Sequence, residues 1–216
     1  MYNFALSILK LLPPETAHSF VISILKYSNK SINIKDDPIL SQHLMGLDFT
    51  NPVGLAAGFD KNAEVIKPML NFGFGFVEIG TVTPKAQKGN KKPRIFRLKN
   101  DEAIVNHLGF NNVGADKIYR NLKKVRKTLF ENKIIGVNIG KNRNTINSVN
   151  DYIYCIEKFN NLSSYLTINI SSPNTIGLRD LQLRGNIENL IKKINKRKSE
   201  VESISTKPLL IKISPD

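Results

Sequence analysis

From residue 50 onward, short apolar runs alternate with longer amphipathic segments, and this order constrains the fold more than any other feature of the chain. The runs have strand length and are nearly continuous in apolar residues, so they predict strands that are buried on both faces. They lie at Val53–Ala57, Phe76–Gly80, Ile134–Ile139, Leu166–Ile170 and Leu209–Ile213. The intervening segments predict helices at about 62–72, 112–131, 148–160 and 184–204. Repeated strand–helix units indicate a parallel α/β sheet covered by helices.

Two common architectures contain such a sheet, an open doubly wound sheet and a (β/α)₈ TIM-type barrel. Polar or glycine residues lie at or near the end of each run: Gly58 to Lys61, Gly80 with Thr81, Asn138 with Gly140 to Asn142, Asn169 with Ser172, and Lys212. An open sheet gathers its ligand groups mainly at one switch point, whereas a barrel collects them from every strand. The pattern therefore favours a barrel with one shared site.

The length of the sequence conflicts with a closed barrel. A (β/α)₈ barrel has eight strands and roughly 250 residues, whereas these 216 residues end just after the fifth predicted strand. Either the sequence is incomplete or the barrel prediction is wrong, and we expect a barrel that is truncated after about five strands. Made alone, such a chain would leave strand edges unpaired, so we expect it to be inactive.

The first 35 residues predict a separate pair of short amphipathic helices, followed by a barrel domain at 36–216. Pro13 and Pro14 divide two apolar runs, and each run is too short for the roughly 20 residues of a spanning helix. No basic leader or cleavage site marks a secretory signal. Because the pair carries more apolar surface than it can bury by itself, we expect it either to dock on the barrel domain or to lie in a membrane interface.

Charge and cysteine content exclude some classes of function. The net charge is +14, but the lysines are scattered and lack interleaved aromatic residues, so the sequence does not favour a nucleic-acid partner. Strong salt-dependent binding to arbitrary DNA would support that alternative. The single cysteine, Cys155, excludes an intrachain disulfide and a thiolate metal cluster, and we expect it to be buried on a helix. No metal site is predicted.

Six segments stand in one order along the chain: NPVGLAAGFDKNAE, FGFVEIGTVTPKAQKGNKKPRIFRL, NHLGFNN, GVNIGKN, TINISSPNTIGLRDLQ and LIKISPD. Together they resemble the dihydroorotate dehydrogenase family along the whole chain. The resemblance is to the quinone-dependent, membrane-associated class. Ser172 stands where the soluble enzymes have a cysteine, and the soluble enzymes lack the N-terminal helical pair. The family fold is an FMN-bearing (β/α)₈ barrel, in agreement with the strand-end pattern.

The resemblance implies an FMN-dependent oxidoreductase of pyrimidine (UMP) biosynthesis. It would oxidise (S)-dihydroorotate to orotate and pass the electrons to a membrane quinone. The implied location is peripheral, at the cytoplasmic face of a bacterial cell membrane, or at the mitochondrial inner membrane in a eukaryote. The alternative is an inactive fragment or a barrel-like binding module of the same family.

The resemblance also implies roles for particular residues. The catalytic base would be Ser172. The substrate-binding residues would be Lys61, Asn106, His107, Leu108, Gly109, Phe110, Asn169 and Asn174. The FMN-binding residues would be Ala57, Gly58, Phe59, Asp60, Lys61, Thr81, Asn138, Asn169 and Lys212. His18 and Arg97 would line a quinone tunnel, with helix packing for His18 and a solvated hairpin charge for Arg97 as alternatives. Arg179 would belong to a lid.

Overall fold

A computed structural model of the chain describes residues 2–28, 35–129, 132–201 and 207–215. The α-helices are α1 (Tyr2–Leu11), α2 (Pro14–Tyr27), α3 (Ile66–Asn71), α4 (Ala115–Arg126), α5 (Ser148–Phe159) and α6 (Arg184–Glu200). The strands are β1 (Gln42–Leu44), β2 (Leu47–Phe49), β3 (Gly54–Leu55), β4 (Phe76–Val82), β5 (Ile95–Leu98), β6 (Ala103–Asn106), β7 (Ile134–Ile139), β8 (Tyr165–Asn169) and β9 (Leu209–Lys212). Residues 130–131 and 202–204, at the ends of two predicted helices, lie outside the described residues.

The five strands predicted in the repeating region form one parallel sheet in the order β3-β4-β7-β8-β9. Each strand pairs with the next one of that region, so the order never reverses. A doubly wound sheet reverses its order at a switch point, whereas a (β/α) barrel has successive strands as neighbours. The barrel-type α/β prediction is confirmed for these five strands. Among the described residues β3 and β9 are the two edges of the sheet, and no closed barrel forms.

The first and second helices of the repeating region begin later than predicted. α3 begins at Ile66 because the carboxylate of Asp60 accepts hydrogen bonds from the N–H groups of Glu64 and Val65, both at 2.8 Å, and holds these residues in a turn. α4 begins after Gly114, whose φ of +83° interrupts a right-handed helix and is accessible mainly to glycine. The predicted spans at 62–72 and 112–131 are therefore too long at their starts.

One face of the sheet packs against the helices and forms the main core. Val77 and Ile79 of β4 are fully buried in one cluster with Tyr152 and Phe159 of α5. The cluster also contains Ile66, Ile118, Leu122, Leu190 and Ile194 from α3, α4 and α6. Burying an aliphatic or aromatic side chain of this size stabilises a fold by about 1.5–3 kcal/mol. Cys155 of α5 is fully buried here, which confirms its prediction as a small apolar core residue.

The other face of the sheet lies opposite the helices, and its amino-terminal end is covered by the β1–β2 hairpin. Phe49 of β2 packs edge-on against Phe76, with 5.3 Å between ring centroids, and joins Ile134 and Tyr165 in a small apolar cluster. These last three residues begin β4, β7 and β8. Sequence periodicity did not predict the hairpin, because strands of three residues are too short to show a period.

Gly136 of β7 leaves room for the ring of Tyr165, since a Cβ built on this glycine would lie 2.2 Å from Tyr165 Cζ. We expect Gly136→Ala to lower the free energy of unfolding by about 1–3 kcal/mol, because the ring must move in a packed interior. Urea unfolding measures this loss. Gly185→Ala in α6 is the matched control, because nothing lies within 4 Å of its added Cβ. Equal losses in the two variants would contradict the packing argument.

The N-terminal helical pair docks on the barrel domain through α2. Ala17 and Ile22 are buried, and Ile22 belongs to the main core cluster. The other face of α2 leaves Phe20 and Ile24 about half exposed, at 50% and 53%. The helical pair therefore docks on the barrel domain, which was one of the two expectations from the sequence. It still has exposed apolar side chains on its outer face. Within the described ranges, no helix has the length and apolar character needed to cross a bilayer.

Candidate functional site

Three polar side chains meet at the carboxyl ends of β4, β7 and β8, and we call Thr81, Asn138 and Asn169 the amide triangle. Thr81 Oγ1 donates a hydrogen bond to Asn138 Oδ1 at 2.7 Å. Asn169 Nδ2 donates to Asn138 Oδ1 at 3.0 Å and to Thr81 Oγ1 at 3.1 Å. All three side chains are buried. Because buried polar groups require partners, each member of the triangle holds the other two in place.

The carboxylate of Glu78 lies next to the amide triangle on the inward face of β4. Its Oε1 accepts a hydrogen bond from Asn138 Nδ2 at 2.8 Å, and its Oε2 accepts one from Thr167 Oγ1 at 2.9 Å. Glu78 was not among the residues predicted from the sequence. The available signal was a carboxylate within an otherwise apolar strand, because a charged side chain in such a strand must face a polar interior or find partners.

The turn after β8 carries Ser172 and is held by hydrogen bonds from side chains to the backbone. Asn169 Oδ1 accepts from the backbone N–H of Ser171 at 3.0 Å and from its Oγ at 2.9 Å. Ser172 Oγ accepts from the N–H of Asn174 at 3.2 Å. The strand ends in amides and hydroxyls because these groups replace the hydrogen bonds that the sheet no longer supplies. Ser172 is thereby held close in sequence and space to the amide triangle.

The loop that contains the predicted substrate residues joins the β5–β6 hairpin to the amide triangle. Its members are Asn106, His107, Leu108, Gly109 and Phe110. At one end, Asn174 Nδ2 donates to the backbone carbonyl of Asn106 at 3.4 Å, so the Asn174 amide contacts the start of this loop. At the other end, a Cβ built on Gly140 would lie 2.9 Å from the Phe110 ring and 2.8 Å from Thr81 Cγ2. The structure therefore brings this loop to the same site.

The loop after β3 contains the predicted residues Ala57, Gly58, Phe59, Asp60 and Lys61. The N–H of Gly58 donates to the carbonyl of Gly80 at 2.8 Å, which attaches the loop to the end of β4. Lys61 Nζ donates to the carbonyl of Gly58 at 2.6 Å, and burial lowers the pKa of this ammonium. Burial raises the pKa of Asp60, although hydrogen bonds from backbone N–H groups oppose that shift. The buried Asp60 carboxylate thus holds the loop in its conformation by accepting hydrogen bonds from backbone N–H groups.

A cleft of about 230 Å³ lies between α2 and the loop after β3. Its lining includes His18, Phe59, Lys61, Glu15 and Asn111. The His18 ring packs edge-on against Phe59, with 5.3 Å between the ring centroids. Burial, followed by the nearby Lys61 cation, lowers the pKa of His18, so the neutral imidazole is favoured. The cleft lies between the helical pair and the loop after β3, which contains predicted FMN-binding residues. A quinone tunnel was expected in this position.

Arg97 does not line that cleft and instead binds the end of α1. Its guanidinium donates to the backbone carbonyl groups of Leu9, Lys10 and Leu12, at 3.2, 3.1 and 2.8 Å. Carbonyl groups at a helix end lack partners within the helix, and an arginine is well suited to satisfy them. The alternative of a solvated hairpin charge is wrong for this residue. Its predicted role in a quinone tunnel stays a prediction.

Arg94, three residues earlier, fixes the beginning of α2. Its Nη2 and Nε donate to the two carboxylate oxygens of Glu15, at 2.6 and 3.1 Å. Its Nη1 donates to the carbonyl groups of Lys88 and Asn90. The Arg94 side chain is only 5% exposed. Two arginines of one segment therefore hold the corner between the helices against the barrel domain. This contact was not predicted from the sequence.

The remaining predicted residues lie at the ends of β8 and β9. Lys212 is the register partner of Asn169 on the neighbouring strand. Arg179 Nε donates to the carbonyl of Ser171 at 3.2 Å, and Gln182 Nε2 donates to the carbonyl of Ile170 at 3.2 Å. The predicted lid segment is thus attached to the turn that carries the serine. Within the described residues, no cluster of three potential metal ligands occurs.

Comparison with known proteins supplies the family. The model of the dihydroorotate dehydrogenase family matches residues 39–216. The chain belongs to this family. A relative named dihydroorotate dehydrogenase (quinone) from Rhodopseudomonas palustris is 46% identical over 213 residues, which are 98% of this chain and 58% of that protein. One of the same name from Buchnera aphidicola is 47% identical over 223 aligned residues, with 100% of this chain and 65% of that protein covered.

Solved structures of the dihydroorotate dehydrogenase family share the fold. The crystal structure of Eimeria tenella DHODH in complex with ferulenol superposes with a TM-score of 0.85 at 40% identity, over 97% of this chain and 63% of that one. The ligand-free form from the same organism gives 0.85 at 42% identity, over 94% of this chain and 62% of that one. The chain therefore spans less than two thirds of the length of these relatives, and it has the family's fold over that span.

The described residues fit a flavin, the kind of cofactor on which the dihydroorotate dehydrogenase family generally depends. Gly58 has a φ of +116° and nothing within 4 Å of an added Cβ, so its backbone borders open space. The amide triangle supplies polar groups at adjacent strand ends, and Lys212 supplies a cation beside Asn169. A glycine backbone that a planar ring can approach, together with amides and a lysine, suits an isoalloxazine and its reduced anion.

Proposed function

We propose that the protein containing this chain is a quinone-dependent dihydroorotate dehydrogenase, an enzyme of pyrimidine biosynthesis that uses FMN. The observation that carries the proposal is the turn after β8, where Ser172 is held next to the amide triangle and near Asn174 and Asn106. The relatives that match along nearly the whole chain bear the same name. A barrel fold alone would not indicate a function. The turn and the names of the relatives together support this specific reaction.

Oxidation of dihydroorotate to orotate removes a proton from ring carbon C5 and a hydride from C6. Bound FMN would accept the hydride. Ser172 takes the proton as the base, and because a free hydroxyl is a weak base it requires a hydrogen-bonded path and exclusion of bulk water. Ser172 is half-buried, and Arg179 and Gln182 attach the segment that follows to the turn that carries it, which supports that exclusion. A rigid strand end holds the base at one face of the substrate.

The amides around the serine would bind the substrate. Each amide offers two donors and one acceptor, which suits the alternating carbonyl and N–H edge of a pyrimidine. We assign that function to Asn106, Asn169 and Asn174, with the loop through Phe110 closing around the ring. Lys61 would stabilise the substrate carboxylate and the charge that gathers on the reduced cofactor. Asn138, Thr81 and Lys212 would contact the cofactor.

The cleft between α2 and the loop after β3 would admit the quinone. His18 and Lys61 line it, and it opens beneath the helical pair. Quinone-type members of the family are generally membrane-associated. The apolar side chains on the outer face of the pair support attachment at the membrane surface, without spanning it. We propose residues 1–35 as this membrane-facing segment, 36–216 as part of the cofactor domain, and the cytoplasmic face of the membrane as its site.

Flavin content and reduction test the proposal directly. The full-length protein that contains these residues should purify with about one FMN per chain, and dihydroorotate should bleach the flavin absorbance under anaerobic conditions. A long-chain quinone should then restore the absorbance. If the protein bound FMN but dihydroorotate never reduced that flavin, the alternative of an inactive binding module of the family would be supported instead. A protein without flavin that binds DNA would contradict the proposal altogether.

The outer face of α2 provides a test of membrane attachment. In the variant Phe20→Gln/Ile24→Gln, vesicle binding and long-chain quinone turnover should fall by at least about tenfold, since each buried apolar side chain is worth about 1.5–3 kcal/mol. Flavin reduction by dihydroorotate should stay unchanged. The control is Ile39→Gln, an exposed apolar residue outside the helical pair. Normal vesicle binding by the double variant would contradict the assignment of this face to the membrane.

A further inference from the structure

We propose that Glu78 is a positioning residue, which sets the orientation of the Asn138 amide and thereby of the whole amide triangle. Among the described residues, no hydrogen bond joins Glu78 to a group assigned to substrate, and its two oxygens accept from Asn138 Nδ2 and Thr167 Oγ1. The inference deepens the proposed function, because the triangle is taken to contact the flavin. Its central part, the orientation of Asn138, can be tested without a cofactor.

The partners of Asn138 fix which end of its amide faces Glu78. Either oxygen of a carboxylate accepts hydrogen bonds but cannot donate one, so the side of the Asn138 amide that faces Glu78 must be the NH₂ group. The Asn138 Oδ1 atom is then directed to the opposite side. There it accepts from Thr81 Oγ1 at 2.7 Å and from Asn169 Nδ2 at 3.0 Å. If the amide rotated by half a turn, its NH₂ group would face the Asn169 NH₂ group and its Oδ1 would face the Glu78 carboxylate, so neither contact would pair a donor with an acceptor.

The orientation passes from Asn138 to the turn that carries the serine. Because Asn169 Nδ2 faces Asn138 and Thr81, Asn169 Oδ1 faces the other way. It accepts from the N–H and the Oγ of Ser171, the residue before Ser172. An unbroken set of hydrogen bonds therefore links Glu78 to Ser171, which directly precedes the proposed base. Such networks are sensitive to the loss of a single partner, because each buried group left unpaired is costly.

Two replacements of Glu78 separate hydrogen bonding from charge. In Glu78→Gln, the new amide can accept from Asn138 with its oxygen and donate to Thr167, whose hydroxyl can turn to accept. In Glu78→Met, a side chain of similar length has no acceptor for Asn138. We expect Glu78→Met to weaken FMN affinity by about tenfold or more and to lower kcat, whereas Glu78→Gln should stay within about threefold of the wild type. Thr167→Val, which removes one other partner of Glu78 but leaves its bond to Asn138, is the matched control and should weaken FMN affinity less than Glu78→Met does.

A reversal of polarity gives the sharpest test. Asn138→Asp places two acceptors against each other at Glu78 and should lose FMN affinity as Glu78→Met does. The double variant Glu78→Gln/Asn138→Asp restores complementarity, because the glutamine amide donates to the new carboxylate. The other oxygen of that carboxylate still accepts from Thr81 and Asn169. We expect the double variant to regain most of the affinity lost in Asn138→Asp, a rescue that a space-filling role for Glu78 would not produce.

Nuclear magnetic resonance of the cofactor-free protein separates this inference from the proposed function. The side-chain NH₂ resonance of Asn138, assigned by its loss in Asn138→Asp, should be shifted and slow to exchange in the wild type and in Glu78→Gln. It should move and exchange faster in Glu78→Met. Unchanged resonances and FMN affinity in Glu78→Met, equal losses in Glu78→Met and Glu78→Gln, or no rescue by the double variant would overturn the inference. Failure to bind any flavin, with the resonances behaving as expected, would overturn only the proposed function.

Discussion

Replacing Ser172 with alanine is expected to slow the reduction of bound flavin by dihydroorotate about 10²–10⁴-fold, which is the usual contribution of a general base. FMN content should stay normal, because the Ser172 hydroxyl contacts only the N–H of Asn174 among the described residues. The turn itself should persist, since Asn169 holds it through Ser171. Anaerobic stopped-flow absorbance gives the rate, and the flavin absorbance per chain gives the cofactor content.

Ser171→Ala is the matched control for this prediction. It removes a neighbouring hydroxyl that donates to Asn169, but it leaves the backbone N–H that bonds the same oxygen. We expect a loss of less than about tenfold from that single hydrogen bond. Ser172→Cys should retain part of the rate and shift its pH dependence downward, because a thiol loses its proton more easily than a hydroxyl. Wild-type bleaching in Ser172→Ala would rule out Ser172 as the base.

The second large effect concerns the corner between α1 and α2. Arg94→Ala should lower the free energy of unfolding by about 3 kcal/mol, near the lower end of the range for breaking a buried ion pair, since Glu15 stays partly solvated. The midpoint of thermal unfolding should fall by roughly 6–12 °C. The change also removes the bonds to the carbonyl groups of Lys88 and Asn90. With α2 loosened, the cleft that His18 lines should lose its shape, so quinone turnover should fall more than flavin reduction.

The pH dependence of this effect has a definite sign. The hydrogen bond from Arg94 is the largest cause that lowers the pKa of Glu15 below its ordinary value of 4.5, against the opposing effect of burial. A carboxyl whose pKa is lowered in the folded state contributes stability above its ordinary pKa and loses it as the pH falls through the folded value. The difference in stability between wild type and Arg94→Ala should therefore be full at neutral pH and shrink below pH 4.5.

Lys92→Ala is the control for the ion pair. Lys92 Nζ lies 3.4 Å from Glu15 Oε1, but its side chain is 68% exposed. A solvated pair of this kind contributes at most about 1 kcal/mol. If Arg94→Ala and Lys92→Ala lowered the thermal midpoint equally, the specific role of the buried guanidinium would be contradicted. An undiminished difference at low pH would contradict the role of the Glu15 charge.

Local patterns predicted the repeating part of the fold because each element carries its own signal. The strands at Phe76–Gly80 and Ile134–Ile139 are apolar runs that a parallel sheet buries on both faces, and β7 has the predicted bounds. The position of Asn138, Asn169 and Lys212 at strand ends followed from the same runs. Since the carboxyl ends of parallel strands meet at one edge, their convergence was also predictable, and the hydrogen bonds of the amide triangle agree with it for the two asparagines.

Pairings between distant residues were decided only by the tertiary structure. Glu78 meets Asn138 across 60 positions, and Arg94 meets Glu15 across 79. The periodicity of apolar residues along the sequence cannot predict such a pair. The free energy of the pair depends on desolvation and geometry that exist only after the chain has folded. The same holds for the β1–β2 hairpin, whose Phe49 has a partner only once β4, β7 and β8 lie side by side. The sequence by itself determined the elements and the chemistry at their ends, whereas the tertiary structure decided which arginine holds the helices and which carboxylate orients the amides.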